Sequence, residues 1–536
     1  MLINIPRNIV TPAGLVYNPT KPMNLPEPFS RPGLKYPKRT LILLTAILML
    51  MASCNFPLRD LSAVIHPYET LDPAIFETRP TATPAAGQPG AVPTATPVPP
   101  PVVDETLYHI YAIRSGDTLD VVARHFGVDP AAITSVEALP QTGLLPPGHF
   151  LVIPKNSDNL LERAVILPDS AIINSPCAAD FDISTFVNAT GGYLSTFSQL
   201  VAGTRLSGAE VVQRVADNQS VNPRLLLAIV EYRSGLVYGN YAPSDIYHPL
   251  GFNDEFFKGL YQELSLAARM LNTGYYGWRY GEMTTVSFAD QVSERIPPGL
   301  NAGSAATMYL FSQLYRSSVW EERLSGEGGF METYLSMFPD PMLCAAEVEP
   351  LLSDTISAPR LELPFAPGET WAFTAGPHYS WVEGTPLGAL DFAPNIKDAG
   401  CQVSPLWARA SAPGVVTRAD NSVVMLTLED ENGDPTGWEV MYMHIAEKER
   451  VALGTRLRQD DPVGHPSCEG GSSTGAHVHI TRKYMGEWVS AQGLFPFVLS
   501  GWTAYPGERA YLGRLVKEGQ VVIARQGGNQ ESLISR

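Results

Sequence analysis

The stretch "RPTATPAAGQPGAVPTATPVPPPVV", residues 79–103, constrains the fold more than any other part of the chain. Eight of its 25 residues are proline. Proline has no amide donor, and its ring clashes with a preceding helical turn, so neither a helix nor an interior strand runs through such a segment. Thr and Ala fill the gaps, and there is too little apolar surface to bury a core. The stretch reads as an extended, semi-rigid spacer. Whatever lies before it and after it must therefore fold separately. The total of 536 residues is also too long for a single hydrophobic core.

Upstream of the spacer, "KYPKRTLILLTAILMLMASC" combines three basic residues (Lys35, Lys38, Arg39) with an apolar run and the small residues Ala52 and Ser53 before Cys54. The apolar run, about a dozen residues, is short for a bilayer span but suits the apolar core of a secretory signal. The segment resembles a bacterial lipoprotein signal, with Met51 where that family usually has Leu. The resemblance implies that residues 1–54 are a signal peptide and that Cys54 receives lipid. The protein would then be extracytoplasmic, held to the bacterial cell membrane by a lipid anchor, with 55–105 as the linker. A formal charge of −17 argues against nucleic acid as a partner, since neutralising phosphates requires basic surface.

Residues 106–156 have the pattern of a small βααβ module. Gly116-Asp117-Thr118 supplies a turn and an N-cap, and Val121, Val122, Ala123 and Phe126 recur at helical spacing. The segment from "YAIRSGDTLDVVARHFG" to "LVIP" resembles the LysM domain. This implies binding to N-acetylglucosamine glycan such as peptidoglycan, although Glu137 stands where that family usually carries Asn.

Residues 175–345 read as a helical domain, with helices expected over 208–217, 223–234, 257–272 and 303–315. "VNPRLLLAIVEYRSG" (221–235) opens with Asn-Pro, a good helix start. It resembles the helix of lysozyme-like transglycosylases that ends in Glu-Ser-Gly, where the Glu is a general acid. Arg233 occupies that position and cannot donate a proton near neutrality. Glu231 lies about 200° around the helix. A helical, lysozyme-like fold without glycosidase activity is the expectation. The aromatics of "GYYGWRYG" (274–281) either stack on sugars or pack internally.

From about residue 360 the texture changes to β. "GVVTRA", "SVVMLTLED" and "GWEVMYMHI" read as strands, with "ENGDPTG" as a hairpin turn between the last two. In "AHVHI", His477 and His479 are two residues apart, so on a strand both imidazoles face one side. His444 ends the neighbouring strand pattern.

Four segments in order, "AGPHYS", "GALDFAP", "MYMHI" and "CEGGSSTGAHVHI", resemble the lysostaphin-type zinc metalloendopeptidases. Much of that family has its first ligand His four residues before the Asp, where this chain has Leu387. The β-lytic branch places it 13 residues upstream, and His378 fits that version. The resemblance implies a mainly antiparallel β peptidase domain over 360–536, including a C-terminal extension. His378, Asp391 and His479 would hold Zn2+, the donor set of a catalytic zinc site with one open position. His477 would act as general base, and His444 would hydrogen-bond the developing oxyanion or orient the water.

Apart from Cys54, four cysteines remain, enough for two disulfides, although the count alone permits buried thiols. Cys177 and Cys344 stand at the ends of the helical domain, and Cys401 and Cys468 flank the expected site. The chain thus reads as a multidomain, lipid-anchored zinc endopeptidase that cuts the peptide cross-links of peptidoglycan or Gly-rich peptides. The alternative is a non-catalytic wall-binding or amidase-activator-like lipoprotein.

Overall fold

The computed structural model describes residues 100–104, 106–140, 142–156, 163–252, 254–397 and 400–536. Cys54, the expected signal peptide and nearly all of the expected linker lie outside the described residues. Among the described residues no helix is long and apolar enough to cross a membrane.

The N-terminal module pairs β1 (Tyr108–Ala112) antiparallel with β3 (Phe150–Pro154), and the short β2 (Thr134–Ser135) joins the other edge of β3. Helix α1 (Leu119–Phe126) is capped by Thr118, whose side chain accepts from the Val121 amide, and it ends at Gly127 with φ 67°. The second expected helix is only the 3₁₀ turn Pro130–Ala132. Ile133 and Thr134 are β-branched and continue into a strand, which ends helix growth after one turn.

The helical unit contains α2 (Ile183–Thr190), α3 (Gly208–Gln219), α4 (Pro223–Ser234), α5 (Leu260–Arg279) and α6 (Ala302–Leu314), followed by α7 (Phe330–Met337) and α8 (Pro341–Val348). Each helix expected from the sequence is present, and α5 extends furthest beyond its expected end. Helix α3 starts in a capping box between Ser207 and Glu210. Helix α4 starts at the Asn222 cap with Pro223 behind it. A disulfide joins Cys177 to Cys344 across the unit, with a Cα separation of 5.9 Å.

The C-terminal domain is built on a nine-stranded antiparallel sheet. Its main strands are β4 (Thr370–Tyr379), β5 (Leu387–Pro394), β6 (Gly414–Asp420), β7 (Val423–Glu429), β8 (Pro435–Met443) and β9 (Val478–Tyr484). The short β10 (Glu487–Trp488) pairs with β9. A small sheet carries β11 (Trp502–Pro506), β12 (Gly513–Lys517) and β13 (Gln520–Ile523), and β14 (Leu533–Ser535) returns to pair with β4. The central order is β6-β7-β8-β9-β5-β4.

Alternation along these strands separates two faces. Leu390, Phe392, Val424, Leu426, Val440, Tyr442, Val478 and Ile480 point into the domain's own core. Val423, Met425 and Met441 point the other way and join the core of the helical unit, as does Trp488 of β10. The helical unit therefore packs directly on one face of the nine-stranded sheet.

Candidate metal centre

The same face carries the expected ligands. Asp391 of β5 lies opposite His479 of β9, and His479 lies opposite Met443 of β8. Directly opposed residues in antiparallel strands share a face. His378 reaches this face through a bulge. Ala375 pairs with Asp391 but His378 pairs with Ala389, so β4 spends one extra residue at Gly376–Pro377. That extra residue turns the imidazole to the side of Asp391.

The three side chains converge closely. His378 Nε2 and His479 Nδ1 are 3.0 Å apart, and each lies 3.3 Å from Asp391 Oδ1. Donors about 2.0–2.1 Å from a tetrahedral zinc ion stand about 3.3–3.4 Å from one another, so this triangle fits such an ion. The outer ring nitrogens are tied to backbone carbonyls: His378 Nδ1 to Gly376 O at 2.9 Å, and His479 Nε2 to Ser380 O at 3.1 Å. These bonds leave the inner nitrogens facing the centre, as ligand histidines require. Asp391 Oδ1 is buried and has only the two imidazole nitrogens at 3.3 Å as polar neighbours, with no well-formed hydrogen bond, a state that a cation at the centre would relieve. Among the described residues this trio forms a group able to hold a metal ion.

The electrostatics match a shared positive charge. Burial disfavours the Asp391 carboxylate, but His378 and His477 beside it hold its pKa well below the usual range. Burial likewise works against a charged His378, and Asp391 outweighs it, raising that pKa. For His479 burial prevails and the pKa falls.

His477 and His444 stand beside the trio, with ring centroids 4.4 Å apart. His477 Nδ1 is 2.8 Å from Gly475 O, and its Nε2 is 3.6 Å from Asp391 Oδ2. His444 Nδ1 is 2.7 Å from Glu469 O. Burial, reinforced by His477, lowers the His444 pKa to about 4, so this imidazole is neutral near pH 7. With Nδ1–H donated to a carbonyl, a neutral His444 presents an acceptor at Nε2. His444 also adopts φ 64°, a left-handed backbone costly for a non-glycine residue and frequent at functional sites.

A disulfide joins Cys401 to Cys468 with a Cα separation of 5.3 Å, tying together two loops beside the site. Tyr511 has no counterpart among the expected site residues. It lies between β11 and β12, and its ring stacks on His378 at 4.6 Å and 23°. Its loop is held by hydrogen bonds from the Gly376 amide to Tyr511 O and from the Tyr511 amide to Pro377 O. An aromatic over a hundred residues from His378, outside the four motifs, carries no local signal of this contact.

The helical unit uses its own conspicuous side chains structurally. Arg233 donates to Leu250 O and to the Tyr315 hydroxyl, and the Glu231 carboxylate accepts the amides of Val237 and Tyr238. Glu137, at the position where LysM domains usually have Asn, pairs with His149 at 2.7 Å.

Residues 165–351 match the family model described as "LasA, N-terminal domain". That match spans the helical unit, about a third of the chain. The chain is 26% identical over 320 residues to Protease LasA of Pseudomonas aeruginosa strain UCBPP-PA14, which covers 56% of this chain and 72% of that protein. It is 26% identical over 149 residues to the beta-lytic metalloendopeptidase of Lysobacter enzymogenes, covering 26% of this chain and 77% of that protein. Among solved structures, the M23 metalloprotease pseudoalterin from the deep sea is 24% identical, covers 32% of this chain and 96% of its own, and has a TM-score of 0.27. The lysostaphin catalytic domain from Staphylococcus simulans is 19% identical, covers 23% and 89% respectively, and has a TM-score of 0.17. Both sequence relatives are proteases by name, the second a metalloendopeptidase.

Proposed function

We propose that the chain is a zinc metalloendopeptidase of the bacterial cell surface that hydrolyses peptide bonds in peptidoglycan cross-links or Gly-rich peptides. The observation that carries this reading is the triangle of His378 Nε2, His479 Nδ1 and the buried Asp391 Oδ1. Two further imidazoles stand beside it. His378, Asp391 and His479 would hold the zinc ion. Bound there, zinc would supply Lewis-acid polarisation of the scissile carbonyl and lower the pKa of the attacking water.

The protein's own groups then divide the proton work. The Nε2 atoms of His477 and His444 are the ring positions not engaged by backbone carbonyls, which hold both Nδ1 atoms. We assign His477, the nearer to Asp391, as the group that takes the water proton and later delivers it to the leaving amine. A neutral His444 accepts rather than donates, which favours its orienting the water over hydrogen-bonding the oxyanion. The N-terminal module is assigned as a LysM-like wall binder, and Cys54 as the lipid attachment site.

The test uses the full chain. Zinc content is measured on purified protein, and peptides released from purified peptidoglycan are identified by mass spectrometry. One zinc per chain and peptide release, both lost in Asp391→Ala and His378→Ala, is the expected result. Undiminished hydrolysis by either variant would overturn the assignment.

A further inference from the structure

The hairpins that carry the candidate ligands rest on an element outside the β domain. All three ligand strands belong to two hairpins, β4–β5 and β9–β10, and both hairpins are seated on helix α5 of the helical unit. Residues 269, 273, 276 and 280 follow one another at i+4, i+3 and i+4, so they line one face of α5. The Tyr276 hydroxyl accepts the Trp488 amide at 2.8 Å, and the Tyr280 hydroxyl accepts the Ser490 amide at 3.3 Å. Further toward the helix start, Arg269 pairs with Glu383 at the tip of the β4–β5 turn.

Gly384, beside Glu383, makes the tightest of these seats. A Cβ placed on it would fall 2.7 Å from Thr273 Oγ1 and 2.9 Å from the Arg269 carbonyl oxygen. From this tip the turn leads straight to the metal centre. Trp381 packs against the helical core. Ser380 is fully buried, its amide bonded to Pro386 O, and its carbonyl meets His479 Nε2. That carbonyl orients the ligand ring, and its place depends on where the turn rests.

We propose that α5 is a positioning element of the metal centre, acting through Gly384 and the β4–β5 turn on the Ser380 carbonyl and thereby on His479. The inference rests on reading His378, Asp391 and His479 as a zinc site. On this view the helical unit is a working part of the site in this molecule. Gly384 is a positioning residue: it touches no reacting atom, and a side chain there would lift the turn from α5 and rotate the carbonyl away from His479.

The experiment compares Gly384→Val with Gly454→Val in the full chain. Both glycines have left-handed φ (103° and 80°), so both substitutions strain the backbone, but a Cβ on Gly454 meets nothing within 4 Å. Zinc affinity is read by competition with a chromophoric chelator, alongside melting temperature and peptidase kcat and KM. Gly384→Val is expected to weaken zinc binding about 10–100-fold, the usual effect of disturbing the partner of a ligand histidine. Gly454→Val should lower the melting temperature comparably but leave zinc affinity unchanged. Equal zinc affinity in the two variants would overturn the proposal.

Should Gly384→Val fail to fold, the exposed pair provides a second measurement. Arg269→Glu should weaken zinc binding by a few-fold, as befits a surface ion pair. The swap Arg269→Glu with Glu383→Arg should restore it; an unaltered affinity in Arg269→Glu would count against the proposal. A wild-type chain that binds no zinc would overturn both this inference and the proposed function. Zinc binding that depends on Gly384 without peptide hydrolysis would overturn the function alone.

Discussion

At the residue scale, the geometry separates three converging donor atoms from two imidazoles that stand beside them. The ligand nitrogens and Asp391 Oδ1 lie within a 3.3 Å triangle, whereas His477 Nε2 is 3.6 Å from the other Asp391 oxygen. Replacing His477 by Gln should therefore lower kcat by about 10²–10⁴-fold, the usual worth of a general base, with zinc content intact. His444→Gln should give a smaller loss, also with zinc retained. Kinetics and metal analysis on the same preparations check this, and zinc loss in step with kcat would show that these imidazoles are ligands instead. Of this constellation, the shared face of His477 and His479 was legible from spacing, because His-x-His on a strand is a local pattern, whereas His378 and Asp391 were expected only from the resemblance to the lysostaphin-type enzymes. The bulge that aims His378 and the stacking of Tyr511 were not legible, since both depend on which strand lies alongside.

At the scale of elements, α5 links the parts of the molecule. Arg279 near its end is buried and donates to Glu487 of β10 at 2.8 Å and to Asp169 at the start of the helical unit at 2.8 Å. It also donates to the Ser115 carbonyl of the N-terminal module. One guanidinium thus satisfies groups from three separate segments, using the planar fork that lysine lacks. Arg279→Leu would leave Asp169 and Glu487 buried without their cation, at a cost of about 3–5 kcal/mol. Urea unfolding should show the loss; a change below about 1 kcal/mol would mean that water reaches both carboxylates. The helix itself was expected from apolar spacing over 257–272. The "GYYGWRYG" aromatics, open to a sugar-stacking reading in the sequence, instead bind the segment around β10 and the N-terminal module.

At the scale of the whole molecule, the N-terminal module is fixed to the helical unit by a second contact with a pH signature. His125 of α1 stacks on Trp278 at 3.6 Å, with its Nε2 3.0 Å from Trp278 O. Burial pushes the His125 pKa down to about 4 from its usual 6.5. The folded state therefore binds fewer protons than the unfolded state between about pH 6.5 and 4. Stability falls as pH drops through that window, by on the order of 3 kcal/mol from this group. Thermal unfolding at pH 7.5 and 4.5 should show the decrease, and His125→Phe should reduce it while keeping the stacked ring. An unchanged pH dependence in that variant would assign the acid sensitivity to other groups.

The sequence by itself determined the helices of the middle unit and offered the residue types of the candidate centre. Those properties follow from apolar period and short motifs, which act within a few residues. Two pairings that the cysteine positions only suggested are present as Cys177–Cys344 and Cys401–Cys468. Only the tertiary structure decided that the helical unit lies on the very face of the sheet that carries the ligands. Both faces of that sheet are apolar along β7 and β8, as Val423-Val424-Met425-Leu426 shows. Such a pattern states that both sides are covered, but what covers each is set by contacts between residues hundreds of positions apart.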